Sequence, residues 1–401
     1  MNLQEAIPIR LIISDPVVVS RGPDSRTTGW GPYQFPDLFK LPDGRLMCAF
    51  ADSTDTIDTY GAERGCCVSS DGGKTWEKAR EKDFETVSGL LLDNGDRVQF
   101  IEQASVRITE DMKFPTPITH RMFRQDTFYR ADEFDPSICN TTWLIHRVNE
   151  EHPEGITEPV KLNWPHMLIR TGAGIVVPAQ PWGRLRKDAD GNLWMPSYAV
   201  NCHPENGGLN PYAANFLFRS TDNGHTWDLM HYLFHVPDVS KDPLAFYREG
   251  PNENIIGFAP DGTYIRLIRT DGGNLKRPKG PLLIVRSHDK GVTWSEPEQF
   301  DDLGVWPQWV TLKCGATIVS YGRPGFYVRA TDDPACKKWD DRIELIPQPD
   351  LPRESLNSCS YSDLIALDDN TAGLVYTDFT VKDEEGVPRK TILFRTIKAE
   401  M

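Results

Sequence analysis

Asp52, Asp55 and Asp58 stand three residues apart in one short segment, Ala51 to Tyr60. A carboxylic acid open to water is ionised at neutral pH. A proton donor must therefore be partly buried or lie beside another carboxylate, and aspartates so spaced can supply that neighbour. Trp164-Pro165-His166 and Trp306-Pro307-Gln308-Trp309 place large rings where strands are expected to open. Such rings, Trp164 and Trp309 among them, stack on the apolar faces of sugars or fill a core, and both uses stay open; His166 could donate to a substrate hydroxyl or serve structure. His231 and His235 have the i, i+4 spacing of two metal ligands. No HExxH glutamate accompanies them, and the segment reads as a strand, where that spacing separates side chains, so no metal is expected. Gly172-Ala173-Gly174 is followed by no helix and is no dinucleotide loop. No cofactor is expected.

The elements that must position such groups are announced by a repeat. Ser69 to Trp76, Ser220 to Trp227 and Ser287 to Trp294 share the pattern S-x-D-x-G-x-T-W, and a decayed copy runs from Thr331 to Trp339. Each full copy follows a short apolar run, so each reads as the turn of a hairpin, with Asp and Gly making the turn and Trp filling a gap between neighbouring elements. A second kind of turn recurs at Asp43-Gly44, Asn94-Gly95, Asp190-Gly191, Asp261-Gly262, Cys314-Gly315 and Asp369-Asn370. The resulting blocks, roughly 35–80, 85–150, 164–230, 250–297, 305–345 and 358–400, predict an all-β chain: a six-bladed β-propeller of four-stranded antiparallel blades. The whole of 1–401 is expected to be one domain, its N-terminal strands completing the last blade.

Composition narrows the partners. With 44 Lys and Arg against 58 Asp and Glu, the net charge of −14 disfavours nucleic acid and anionic membranes. No apolar run reaches the ~18 residues of a membrane-spanning helix. The N-terminus carries no signal-peptide pattern, so a cytoplasmic location is expected. The eight cysteines are irregularly spaced, without CxxC, and are expected to be reduced thiols.

The repeats resemble the Asp boxes, or BNR repeats, of the sialidase (neuraminidase) superfamily, and the resemblance extends at the level of fold over the whole chain. The most specific match is Ser358 to Leu364, which holds a Tyr-Ser-Asp-Leu run followed by Gly373-Leu374-Val375-Tyr376. In that family such a run carries a nucleophilic tyrosine, here Tyr361. Sialidases depart from the two-carboxylate rule of glycosidases: their substrate has a carboxylate beside the reacting carbon, which would repel a carboxylate nucleophile but not a neutral phenol. The resemblance makes Glu253 the base for Tyr361, with Arg269 and Arg323 as ligands for the substrate carboxylate, a task suited to the guanidinium fork. It makes a first-blade aspartate the proton donor, Asp58 first and Asp55 second. The pattern breaks at Tyr33-Gln34-Phe35-Pro36, where Gln34 stands in place of a family arginine. Arg21 or Arg26 would have to replace it, or the sugar is not an ordinary sialic acid. The resemblance thus implies a retaining exo-glycosidase for a terminal, acidic sugar on a glycoconjugate. A glycan lyase, a glycosidase for another sugar, and a non-catalytic glycan-binding propeller are the alternatives.

Overall fold

The computed structural model describes residues 9–80, 83, 89–120, 126–199, 202–203, 205–210, 212–270, 280–347 and 356–400. The recurring turns produce meanders. The first sheet is Gln34–Lys40, Leu46–Ala51, Arg64–Ser69 and Glu77–Lys78; the second is Leu90–Leu91, Arg97–Ile101, Leu144–Val148 and Ile156–Pro159. The third runs Arg186–Lys187, Leu193–Ala199, Ala214–Ser220 and Thr226–Phe234, with Lys161–Leu162 added in parallel at its edge. The fourth is Asn254–Phe258, Tyr264–Arg269, Leu282–Ser287 and Glu298–Asp301, and the fifth is Val305–Thr311, Thr317–Gly322, Phe326–Thr331 and Ile343–Ile346. In the sixth, Ser362–Ala366, Thr371–Lys382 and Pro388–Glu400 are joined by Val17–Asp24 and Arg10–Ile13, which both pair with the C-terminal strand. The first strands of the fourth, fifth, sixth and first sheets lie side by side.

A further sheet departs from the expected blocks. It joins Val106–Arg107, Thr119–His120, Thr127–Arg130, Leu168–Gly172 and Ile175–Val177. The third sheet therefore starts at Arg186 rather than near 164, and the hairpin at Gly172-Ala173-Gly174 belongs to the added sheet. The second sheet, the added sheet and the third share one apolar core around Trp143, Trp164, Phe216, Phe218 and Trp227. Among the described residues, helix is confined to single turns such as Ile57–Thr59, and none is long and apolar enough to cross a membrane. All eight cysteines are free thiols.

The five fixed positions of the repeat have separate physical jobs. In the first copy the Ser69 hydroxyl accepts the Gly73 N–H at 2.8 Å, and Asp71 accepts the Thr75 N–H at 2.9 Å and its hydroxyl at 2.6 Å. The Trp76 indole then donates to the Gly73 carbonyl at 3.1 Å. The second and third copies repeat these bonds. A Cβ at Gly73 would lie 2.1 Å from Phe394 and one at Gly291 2.5 Å from Trp194, so only glycine fits where the turn presses on its neighbour.

These turns carry a pH dependence. The hydroxyl and then the N–H of Thr75 hold Asp71 down at about 2, and Thr293 does the same for Asp289. A carboxylate whose folded pKa lies below its unfolded value, 3.8 here, contributes stability above that value and loses it as pH falls through about 2. Asp71→Asn is therefore less stable than the parent at neutral pH, and the gap closes between pH 4 and pH 2. Unfolding curves across that range test this; a gap independent of pH contradicts it.

Candidate functional site

In an antiparallel meander the start of the first strand and the end of the second lie at the same end of the sheet. Glu253 precedes the fourth sheet's first strand and Arg269 ends its second; the Arg269 N–H donates to the Glu253 carbonyl at 2.9 Å. Trp306 and Arg323 occupy the matching positions of the fifth sheet, Tyr361 that of the sixth and Phe35 that of the first. The side chains meet there. The Tyr361 hydroxyl donates to Glu253 Oε1, Arg269 Nη1 lies 2.6 Å from the same oxygen, and the Trp306 N–H donates to Oε2 at 3.1 Å. Trp306 stacks on the Tyr361 ring at 5.0 Å and 24°, and Phe35 meets it edge-on at 4.7 Å. The Arg323 guanidinium lies 5.1 Å from the Trp30 ring centre and 5.5 Å from that of Tyr361, and donates to the Cys359 carbonyl at 2.6 Å.

Backbone strain collects at this spot. Among the described residues nine non-glycines have positive φ, and five of them, Tyr33, Phe35, Trp306, Arg323 and Ser360, are these residues or lie within two positions of one. Such conformations cost about 1–3 kcal/mol each and persist where surrounding structure enforces them, as at functional sites.

Charge is arranged around the phenol. Burial and the Glu253 carboxylate push the Tyr361 hydroxyl well above its usual range, while Arg269 and Arg323 pull the other way. At rest it is a neutral phenol with its proton aimed at a carboxylate. Burial opposes the charge on Arg269, but Glu253 and then Glu249 outweigh it and hold the guanidinium ionised. Burial lowers Arg323, the Tyr361 hydroxyl opposing.

The pair opens into a cavity of about 1070 Å³ lined by seven acidic and seven basic side chains. On its wall, Asp37 is gripped by Arg64 and Arg184; Arg184 also lies 3.0 Å from Asp363, which accepts the Leu38 N–H at 2.8 Å. This belt joins the first and sixth sheets to the segment entering the third. Burial would raise Asp37, but Arg184 and Arg64 hold it below the ordinary carboxyl range; burial prevails at Asp363 and raises it. On the same wall Trp182 lies between Tyr60, at 5.1 Å, and Tyr198, at 6.3 Å.

Several anticipated residues lie elsewhere. Asp55 lines the cavity and is open to water, whereas Asp58 is exposed outside it and is lowered first by the Thr56 hydroxyl, the reverse of what a proton donor needs. Gln34 is fully buried, its amide oxygen 2.8 Å from Lys390 Nζ, and does not line the cavity. Neither arginine suggested as its replacement lines it; Arg26 pairs with Asp24 at 2.6 Å on the surface. Trp164 belongs to the core, with His166 beside it in a separate small cavity. Trp309 is also core, donating to Thr311 at 3.0 Å, and Trp306 takes the place beside the phenol. His231 contacts buried Arg266, while His235 bonds the Ala245 carbonyl, so the two do not form a pair. Among the described residues no cluster of three or more His, Cys, Asp or Glu could hold a metal. Sequence reasoning passed over Trp30, Trp182, Arg184 and Glu102. Trp182 and Arg184 lie in the segment entering the third sheet's first strand, as Glu253 and Tyr361 do for theirs, and that place at a strand entry is the signal that could have found them.

No protein-family model and no curated protein matches the chain. Solved structures do. A protein of unknown function from Dyadobacter fermentans aligns over 97% of this chain and 99% of its own, at TM-score 0.62 and 18% identity. The NanB sialidase of Streptococcus pneumoniae aligns over 95% of this chain and 70% of its own, at TM-score 0.50 and 13% identity. An α-L-arabinanase from Penicillium chrysogenum, complexed with arabinobiose, aligns over 96% and 98%, at TM-score 0.50 and 13% identity. At these identities the likeness shows a shared sialidase-like propeller fold.

Proposed function

We propose that this chain is a single-domain, six-bladed propeller and a retaining exo-glycosidase for a terminal acidic sugar, with Tyr361 as nucleophile. The added sheet is then built from two inserted segments, one within the second blade, between Arg97–Ile101 and Leu144–Val148, and one between the second and third blades. The observation that carries the reading is the part-buried contact between the Tyr361 hydroxyl and Glu253, framed by strained residues. Glu253 takes the phenol proton as Tyr361 Oη bonds to the anomeric carbon, and the glycosyl–tyrosine is then hydrolysed with net retention. A neutral phenol as nucleophile suits a sugar that carries its own carboxylate next to the reacting carbon. That carboxylate would sit against Arg323 and the outer face of Arg269.

A neutral sugar is the second reading. It is favoured by the equal numbers of acidic and basic side chains in the cavity, and by Gln34 being turned away from it. With a buried amide instead of an arginine at position 34, an anion forgoes at that position a charge-assisted pair worth about 1.5–3 kcal/mol. A panel of aryl glycosides of sialic, ulosonic, uronic and neutral sugars separates the readings. The proposal expects turnover of an acidic sugar with retained configuration. Turnover of neutral sugars alone, or an unsaturated product absorbing in the ultraviolet, overturns it.

A further inference from the structure

The charges of the cavity sort by depth. Its wall follows the segments that open the first, third and sixth sheets, with Phe35 and Asp37 on the first, Trp182, Arg184 and Arg186 on the third, and Tyr361, Asp363 and Ile365 on the sixth. Side chains two residues apart on a strand share a face and stand about 6–7 Å apart. Five of the seven carboxylates are at the Tyr361 end. Glu249 and Glu253 surround Arg269; Asp55, Glu63 and Glu102 belong to the 52–63 loop or face it, and the Asp55 N–H ties that loop to the Trp30 carbonyl at 3.1 Å. The other two, Asp37 and Asp363, form the belt with Arg64 and Arg184. Beyond the belt the wall is made by Arg186, by Lys40 at the end of its strand, and by apolar side chains such as Leu90 and Ile365; among the described residues no carboxylate lines that section.

Arg186 has no partner there. Its Nε and Nη2 are buried and bonded to nothing among the described residues. Those two atoms share one edge of the guanidinium, the edge with which Arg26 grips Asp24 at 3.0 and 2.6 Å. Six other described arginines leave a buried Nε unpartnered, and Arg186 alone leaves the whole edge. Asp363, the carboxylate that attracts it, is already taken up by Arg184 and by the Leu38 and Leu364 N–H groups at 2.8 and 3.0 Å. Lys40 is exposed and donates to the Leu367 carbonyl at 2.9 Å. The belt and Arg186 together thus hold three guanidinium groups against two carboxylates. A buried charge without a counter-charge and a buried donor without an acceptor are both costly, and one bound anion answers both.

We infer that the Nε–Nη2 edge of Arg186 binds a small, weakly hydrated monovalent anion, with chloride as the type, in the section of the cavity beyond the belt. The two N–H groups of the edge converge on the anion, and the apolar walls suit an ion that sheds its water easily. Bound there, the anion balances the third guanidinium. Burial lowers the Arg186 guanidinium to about 10, with Asp363 opposing and Arg184 adding to the fall, and a counter-ion would raise it again. The belt ties the first and sixth sheets to the segment entering the third, so the anion contributes to holding those three together. This site is separate from the Tyr361 chemistry and does not depend on that reading.

The test is thermal unfolding in sodium chloride at constant ionic strength, with bulky gluconate replacing the chloride that is left out. Wild-type Tm is expected to rise by about 3 °C as chloride reaches about 100 times its dissociation constant. Arg186→Met keeps the side chain's length, removes the charge and the donors, and is expected to lose that rise. Arg26→Met, which removes a surface arginine, is expected to keep it. Crystals of the wild type grown in bromide supply a measurement that needs no variant: an anomalous scattering peak within hydrogen-bond reach of Arg186 Nε and Nη2. A wild-type Tm indifferent to chloride, the same rise in Arg186→Met, loss of the rise in Arg26→Met, or no bromide peak at that edge would overturn the assignment. Neither readout involves turnover, so failure here and failure of the glycosidase reading are told apart.

Discussion

Tyr361→Phe eliminates turnover, lowering kcat/KM by at least about 10³-fold, while leaving the fold and sugar binding close to wild type. The substitution removes one atom, the Oη that donates to Glu253. The ring keeps its stack on Trp306 and its edge contact with Phe35. Glu253 keeps Arg269 and the Trp306 N–H, so no buried charge loses its partner. Losing one neutral donor changes stability by about 1 kcal/mol, whereas losing the nucleophile removes the covalent route altogether. Steady-state kinetics, sugar titration and thermal unfolding of the same preparation check the three parts. A variant that retains more than about a tenth of wild-type activity contradicts the account.

Glu253→Gln fails in two ways together. The amide cannot accept the phenol proton, a loss of about 10²- to 10⁴-fold in kcat/KM. It also strands Arg269, whose side chain is 8% exposed and whose other carboxylate partner, Glu249, is 3.9 Å away. Removing one partner of a buried pair costs roughly 3–5 kcal/mol, so Tm should fall sharply where it barely moves in Tyr361→Phe. Since the phenol and the carboxylate act as one unit, the double variant should be no less active than the worse single one. Kinetics and calorimetry on the three variants check this; full multiplication of the two activity losses would show that the residues act independently.

What was legible in the sequence was mostly local. Ser69, Asp71, Gly73, Thr75 and Trp76 bond one another within eight residues, so their pattern states their geometry. Tyr361, Glu253, Arg269 and Arg323 were legible through a resemblance, and they meet because antiparallel meanders bring equivalent strand ends to one place. What escaped depended on backbone detail. Trp306 and Trp309 are three residues apart, and a register shift between Val305 and Gln308, with Trp306 in a left-handed conformation, decides which ring reaches the cavity. Positive φ at Tyr33 and Phe35 likewise brings Phe35 against Tyr361 while Gln34 lies buried. The added sheet joins the two-residue strand Val106–Arg107 to a partner about 70 residues away, Val106 with Val176, and no local pattern encodes that pairing.

The central claim is a covalent bond between sugar and Tyr361. Incubating the protein with a fluorinated, activated glycoside of its substrate sugar, which forms the intermediate faster than water removes it, and mapping the product by peptide mass spectrometry tests that claim directly. The account predicts one glycosyl adduct, on Tyr361, absent from Tyr361→Phe. An adduct on Glu253, Glu249 or any other carboxylate would contradict it.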